Sequence, residues 1–206
     1  MTARRRGRFV AIEGIDGAGK STLVRALAAE LRRRGRSVRT RREPADRALG
    51  ALAQRAGADD PWTGAVYFTI DRFRARPALE RDLSRHDLVV TDRSMFSTLA
   101  YQGSALPRVA RARLEALQRR ATVVPDRVVL LELPAAEAKR RRGRRATARA
   151  PLEREAVQLR VAADYRRLAR VGGWIVVDAT QPVTRVAREV ADRLLRRRRT
   201  AARRRR

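Results

Sequence analysis

The 206-residue chain contains no cysteine, and although 50 of its residues are basic it has almost no lysine: Lys20 and Lys139 are the only two. Without cysteine there is no disulfide to staple the core and no thiolate to hold a metal. Long apolar runs are missing too. No stretch approaches the roughly 18 consecutive apolar residues that read as a membrane span. The amino-terminal MTARRRGRFV carries charge but no apolar segment of the secretory type. The expectation is a cytoplasmic protein with no membrane partner. Acidic residues are scarce, 22 against 50 basic, which leaves a net charge of +28. That surplus attracts any polyanion. It does not specify a nucleic acid, because the arginines run along the whole length, as a compositional bias would leave them, and cluster at 4–6, 196–199 and 203–206.

An apolar share of 44% is enough for a globular core, and the length suits one domain. No repeat and no Gly/Ser-rich linker divides it. The domain is expected over 8–197, between a basic tail at 1–7 and a disordered arginine-rich tail at 198–206. Short apolar runs at 8–13, 87–92, 126–133 and 174–179 read as strands, with SVRTRRE (37–43) as a further one. Leu23, Leu27 and Leu31 repeat at helical spacing, and Gly35 reads as the stop. Helices are expected at 20–35, 46–56, 61–84, 94–121, 134–142, 152–170 and 183–197. Strands alternating with helices imply a parallel sheet covered on both faces, and strands that are apolar throughout fit burial on two sides.

Between the first strand and the first helix stand Gly14, Ile15, Asp16, Gly17, Ala18, Gly19, Lys20 and Ser21, followed by Thr22. They match G-x-x-x-x-G-K-[ST] in the context where that motif works. Glycines let backbone N–H groups turn inward around phosphate oxygens, and the helix N-terminus adds partial positive charge. Ser21 offers a hydroxyl to Mg²⁺. The loop also explains the rare lysine. A compact ammonium on a thin stem reaches the β- and γ-phosphates, whereas a planar guanidinium is bulkier and prefers a bidentate fork. Arginine has taken nearly every other basic position, but not this one.

Three further stretches, YFTIDR (67–72), DRSMFSTLAYQG (92–103) and DATQP (178–182), with RREP (41–44), follow in the order and spacing of thymidylate kinases. The chain resembles that family along its whole length apart from the arginine tails. The resemblance implies a P-loop NTPase fold: α/β, three layers, a five-stranded parallel sheet and a mobile arginine-rich lid at about 139–151. It implies transfer of phosphate from ATP to dTMP with Mg²⁺, and a homodimer formed through helices. By the same resemblance, Phe68 stacks on the thymine ring and Arg72 binds its carbonyl edge. Thr98 faces the ring, Tyr101 packs against the sugar, and Asp16 meets the 3′-hydroxyl. Glu43, Ser97 and Gln102 belong to the same acceptor pocket, and Gln181 to the segment that holds adenine. Asp92, at a strand end beside the phosphate loop, is placed to hold Mg²⁺ or its waters together with Ser21. Arg93 is suited to clamp the acceptor phosphate. Taken singly, Phe68 and Tyr101 would suit an apolar core, Arg72 and Arg93 a solvated surface, and Asp92 a helix cap. The joint pattern carries the reading.

KRRRGRRATARA (139–150) falls at the family's lid, and Gly17 stands where some members have an arginine. Members lacking that arginine supply one from the lid. Arg142, Arg145 and Arg149 are the candidates here. The chain departs from the family pattern at Ala45, Asp46 and Arg47, at Ser94, at Glu132 and at the lid exit (149–155). These departures leave room for another deoxynucleotide or a modified pyrimidine as acceptor. A nucleic-acid-associated ATPase is the reading from a different class.

Overall fold

The alternation of strand and helix follows from where the apolar runs lie. The computed structural model describes residues 7–143 and 155–196. Within them the order is β1 (Arg8–Glu13), α1 (Lys20–Arg33), β2 (Val38–Arg42), α2 (Arg47–Asp59), α3 (Pro61–Arg85), β3 (Leu88–Asp92), α4 (Met95–Tyr101), a short 3-10 turn (Gly103–Ala105), α5 (Arg108–Ala121), β4 (Arg127–Glu132), α6 (Ala135–Gly143), α7 (Glu155–Gly172), β5 (Ile175–Asp178) and α8 (Val183–Leu195). The strands form one five-stranded sheet, β2-β3-β1-β4-β5, in which every neighbouring pair is parallel.

Register decides what meets at the carboxyl edge. Ile12 lies opposite Asp92, and Asp92 lies opposite Arg42. The residues that follow β1, β2 and β3 therefore emerge side by side, at the end of a parallel sheet where ligands are commonly bound. Leu23, Leu27 and Leu31 of α1 are all buried against the sheet, so the helical spacing became a packed stripe. Gly35, at φ 73°, ends that helix in a conformation that costs other residues more.

Two expectations about elements need correction. No strand is apolar throughout, and burial along a whole strand occurs only in the centre: β3 (LVVTD) is buried at every position, but the edge strand β2 (VRTRR) buries only Val38 fully. An edge strand has one neighbour and a solvent-facing side, so its arginines reach outward. Arg41 and Arg39 meet Asp82 of α3 at 2.8 and 3.5 Å. The helical stretch expected at 94–121 is two helices, because Pro107 has no N–H to continue the ladder across the 3-10 turn. The residues after RREP also find a structural role. Asp46 caps α2 by accepting from Ala48 and Leu49 N–H, and Asp71 accepts from Ala45 and Asp46 N–H at 2.9 and 2.8 Å. The basic tails at 1–6 and 197–206 lie outside the described residues.

Candidate active site

The loop after β1 is shaped by glycine. Gly14 has φ 148°, and a Cβ there would stand 2.8 Å from the Leu131 carbonyl oxygen. Gly19, at φ 94°, caps α1, whose first N–H groups lack helical partners and face the loop side. Lys20 is 7% exposed, and its Nζ donates to the carbonyls of Gly14 (3.0 Å) and Ile15 (2.9 Å). It also stands 3.8 Å from Asp16 Oδ1. Burial, then the neighbouring Arg93 charge, pulls the Lys20 ammonium down to about 8, against the opposing carboxylates of Asp16, Asp92 and Glu13.

Ser21 Oγ donates to Asp92 Oδ2 across the gap between α1 and β3. Asp92 does not cap a helix: Ser94 does, accepting from Phe96 N–H at the start of α4. A hydroxyl beside a carboxylate suits a hard divalent cation. Among the described residues no group of three or more acidic or histidine side chains could hold a metal by itself. A cation at this pair would complete its shell with phosphate and water oxygens, as Mg²⁺ commonly does.

A cleft of about 220 Å³ opens on one side of the loop, and every residue assigned to the acceptor by resemblance lines it. Asp16 and Arg93 form its floor. Arg93 has φ 74°, a left-handed backbone that costs a residue with a Cβ about 1–2 kcal/mol. Its N–H is fixed on the Ile12 carbonyl at 3.1 Å. Its guanidinium binds Asp16 Oδ1, Ser97 Oγ (3.1 Å) and the face of Tyr101, 5.2 Å from the ring centre. The strain is held by these contacts, so the side chain points where the backbone alone would not send it. Asp16 also accepts from Tyr101 OH at 3.0 Å and Gln158 Nε2 at 3.3 Å. Burial would raise the Asp16 carboxyl, but the charges of Arg93 and Lys20 and the Tyr101 and Gln158 hydrogen bonds outweigh it and hold it at about 2. Asp16 is a carboxylate at any physiological pH.

The far wall is built around Arg72, 7% exposed in the middle of α3. Its Nε donates to Glu43 Oε2 at 2.5 Å, its Nη1 to Thr98 Oγ1 at 2.9 Å and Gln118 Oε1 at 3.3 Å, and its Nη2 to the Ser94 carbonyl at 3.0 Å. Burial raises the Glu43 carboxyl more than Arg72 lowers it. Phe68, one helical turn before Arg72, lines the opening.

A second cleft, of about 390 Å³, lies on the other side of the loop. Gly17, Ala18, Gly19 and Thr22 line it, with Gln181 from the turn after β5. Arg141 of α6 also lines it, held by Glu137 Oε1 at 2.8 Å and the Ala179 carbonyl at 3.1 Å. The resemblance named Arg142, Arg145 and Arg149 as candidates. Arg145 and Arg149 lie outside the described residues, as does the side chain of Arg142. Arg141 was not among them.

Other residues of the site carried no signal strong enough to single out. Glu13 is completely buried and accepts from Ser94 Oγ (2.6 Å), Ser97 Oγ (2.7 Å) and Tyr165 OH (2.8 Å). Its one cue in the sequence, an acid ending an apolar strand beside the loop, does not tell it from a strand-end residue facing solvent. Gln118, Gln158 and Tyr165 sit on helices where each reads as one more helical residue. Arg42, Pro44 and Gln54 complete the first cleft.

Comparison with known proteins points one way. The family model described as thymidylate kinase matches residues 12–190. The chain is 35% identical to the thymidylate kinase of Leifsonia xyli subsp. xyli, over 94% of this chain and 97% of the relative. It is 38% identical to that of Bordetella petrii, over 90% and 93%, and 39% identical to that of Thermomicrobium roseum, over 87% and 90%. With a phosphate loop between two clefts and a match over most of its length, the chain belongs to the thymidylate kinase family.

Proposed function

We propose that the chain transfers the terminal phosphoryl group of ATP to dTMP. One observation carries this reading: a single loop, 14–21, separates a cleft lined by Gly17, Thr22 and Gln181 from a cleft lined by Asp16, Phe68, Arg72, Arg93 and Tyr101. Donor and acceptor phosphates would meet at Lys20. The names of the relatives supply the acceptor's identity.

In this reading the ATP phosphates lie on the amides of Gly14 to Thr22, with adenine toward Gln181 and Lys20 on the β- and γ-oxygens. Arg93 grips the acceptor phosphate as a bidentate fork. Asp16, ionised, accepts from the sugar hydroxyl, and Tyr101 closes against the ring. Thr98, Ser97 and Gln102 surround the pyrimidine, Phe68 stacks on it, and Arg72, steadied by Glu43, donates to its carbonyl. Ser21 and Asp92 would hold Mg²⁺, which when bound neutralises charge on the β- and γ-phosphate oxygens. An oxygen of the acceptor phosphate attacks in line. That oxygen is already anionic, so no strong general base is needed, and catalysis is positioning and electrostatics. A lid arginine, Arg142, Arg145 or Arg149, adds charge to the transferred group. The same proposal includes a homodimer, supported by Ile70 and Phe73 standing exposed on α3, and a cytoplasmic location. No described helix is long and apolar enough to cross a membrane.

The test is turnover of purified protein with ATP and a panel of monophosphates. Preference for dTMP is expected, and equal rates with dCMP, dGMP and UMP would overturn the acceptor assignment.

The Lys20 ammonium gives a pH prediction. Its folded pKa, about 8, lies below the unfolded 10.5. Lys20 is charged below about 8 and loses its proton above it, so ATP affinity should hold through neutral pH and weaken above about 8. Phosphate oxygens favour the charged form, so ATP binding near pH 8 should take up a proton. Calorimetry in buffers of different ionisation heat reads that proton directly. The stability effect has the opposite sign. Burying this ammonium opposes folding below about 8, and the opposition fades as pH rises from about 8 toward 10.5.

A further inference from the structure

Resting on the reading of Arg72 as the group that faces the pyrimidine, we infer that Gln118 is a positioning residue, oriented by Thr69, that sets base discrimination. Gln118 is fully buried on α5, with no solvent contact and a side-chain amide between two partners from α3. An amide alone can present either its oxygen or its nitrogen to Arg72, and the two choices differ in sign. Toward a guanidinium, the oxygen accepts, whereas the NH₂ group opposes donor to donor.

A backbone carbonyl makes the choice. Thr69 Oγ1 lies 2.7 Å from the Ala65 carbonyl oxygen. A carbonyl cannot donate, so the hydroxyl proton is committed to it and Thr69 Oγ1 can only accept. Gln118 Nε2 stands 2.5 Å from that oxygen and donates to it. The amide nitrogen is thereby assigned to Thr69, and Oε1 faces Arg72 Nη1 at 3.3 Å. Each link has one allowed direction, from Ala65 to Arg72. A further bond, Thr122 Oγ1 to the Gln118 carbonyl at 2.8 Å, fixes the end of the helix that carries the amide.

Arg72 has five N–H groups, and Glu43, Thr98, Gln118 and Ser94 accept from four of them. These four acceptors fix both the plane and the rotation of the fork. Glu43 and Ser94 hold Nε and Nη2, while Thr98 and Gln118 divide Nη1. Without Gln118 the Nη1 edge rests on one hydroxyl that also faces the cleft, and the fork can swing. A base carrying a carbonyl at the position Arg72 meets gains from a fixed donor, and a base carrying an amino group there is repelled by it. A loosened fork loses both effects, so discrimination narrows. Substrate binding suffers, while the phosphoryl-transfer machinery around Lys20 and Arg93 is untouched.

The experiment compares the full-length parent with Thr69→Val, Thr69→Ser, Gln118→Met and Arg72→Lys, measuring kcat and KM for dTMP and dCMP, with thermal unfolding as the control for folding. Thr69→Val keeps the side-chain shape but removes the hydroxyl that orients the amide. The expected result is a KM for dTMP raised about tenfold, as losing one hydrogen bond to a charged group would produce. kcat should stay within about twofold of the parent, and the dTMP:dCMP ratio of kcat/KM should narrow about as much as KM rises. Thr69→Ser, which keeps the hydroxyl, should restore both values, a rescue that a purely packing role would not predict. Gln118→Met should reproduce the Thr69→Val kinetics, and gives a second route should Thr69→Val unfold. If both variants fold and keep the parent KM and ratio while Arg72→Lys loses the ratio, the role of Gln118 is refuted and the reading of Arg72 stands. If Arg72→Lys also keeps the ratio, Arg72 does not face the base, and both claims fall.

Discussion

Lys20→Ala is expected to lower kcat by about 10³-fold while leaving the protein folded, as removal of a preorganised charge from a phosphoryl-transfer site does. The fold should survive because Lys20 contributes little that the core needs. Its ammonium is buried and already deprotonates more readily than a free lysine, so removing it relieves desolvation while giving up two hydrogen bonds to loop carbonyls. Lys20→Arg should not restore the rate. The Nζ sits within 3.0 Å of two carbonyls of its own loop, a space sized for a point charge, and a guanidinium there would press against the Gly14–Ile15 backbone. A chain that uses arginine at almost every other basic position makes this a sharp comparison. Steady-state turnover with circular dichroism on the same samples checks it, and parent-level transfer by either variant would show that the phosphates are held elsewhere.

Arg93→Ala is expected to cost on the order of 10²- to 10³-fold in kcat/KM for dTMP, because in the proposed function Arg93 is the clamp on the acceptor phosphate. The loss reaches Asp16 too. Arg93 is the largest influence opposing burial at that carboxyl. Without it the Asp16 pKa rises from about 2, and the acid limb of the rate profile moves to higher pH. In the parent, whose folded Asp16 pKa lies below the usual 3.8, the stability contributed by Asp16 is present above about 4 and lost as pH falls toward about 2. The variant should lose much of that contribution. The backbone makes a separate prediction. At φ 74° glycine is relaxed and alanine is not, so Arg93→Gly should be more stable than Arg93→Ala by about 1 kcal/mol with equally poor activity. Equal unfolding midpoints for the two would mean that the left-handed turn relaxes once the guanidinium is gone.

The parts legible in the sequence were those where one residue type at one spacing has few alternatives. Leu23, Leu27 and Leu31 could only be the buried stripe of a helix. The glycines around Lys20 announced a loop that bends backward, and Gly35 a stop. The acceptor residues picked out by family resemblance, from Asp16 to Gln102, line one cleft. Burial on two faces holds for the central strands but not for β2, because an edge is only half buried: the arginines of VRTRR meet Asp82 and solvent. The division of 94–121 was marked by Gly103 and Pro107, and was missed because the flanking residues favour helix so strongly.

What the chain determined by itself is local: the phosphate loop and the lysine it demands, the stripe of α1, and the alternation that yields a parallel sheet. Local chemistry decides these, since φ preference, side-chain reach and apolar period act within a few residues. Pairings across the sheet belong to the tertiary structure alone. Glu13 with Ser94, Ser97 and Tyr165, Asp16 with Arg93 and Gln158, and Gln118 with Thr69 and Arg72 join residues from 46 to 152 positions apart. Polar side chains carry no periodic mark of their partners. Only when β1 and β3 align and α3 packs on α5 does burial make each hydrogen bond obligatory, because an unpaired polar group in that interior costs more than the pair gains.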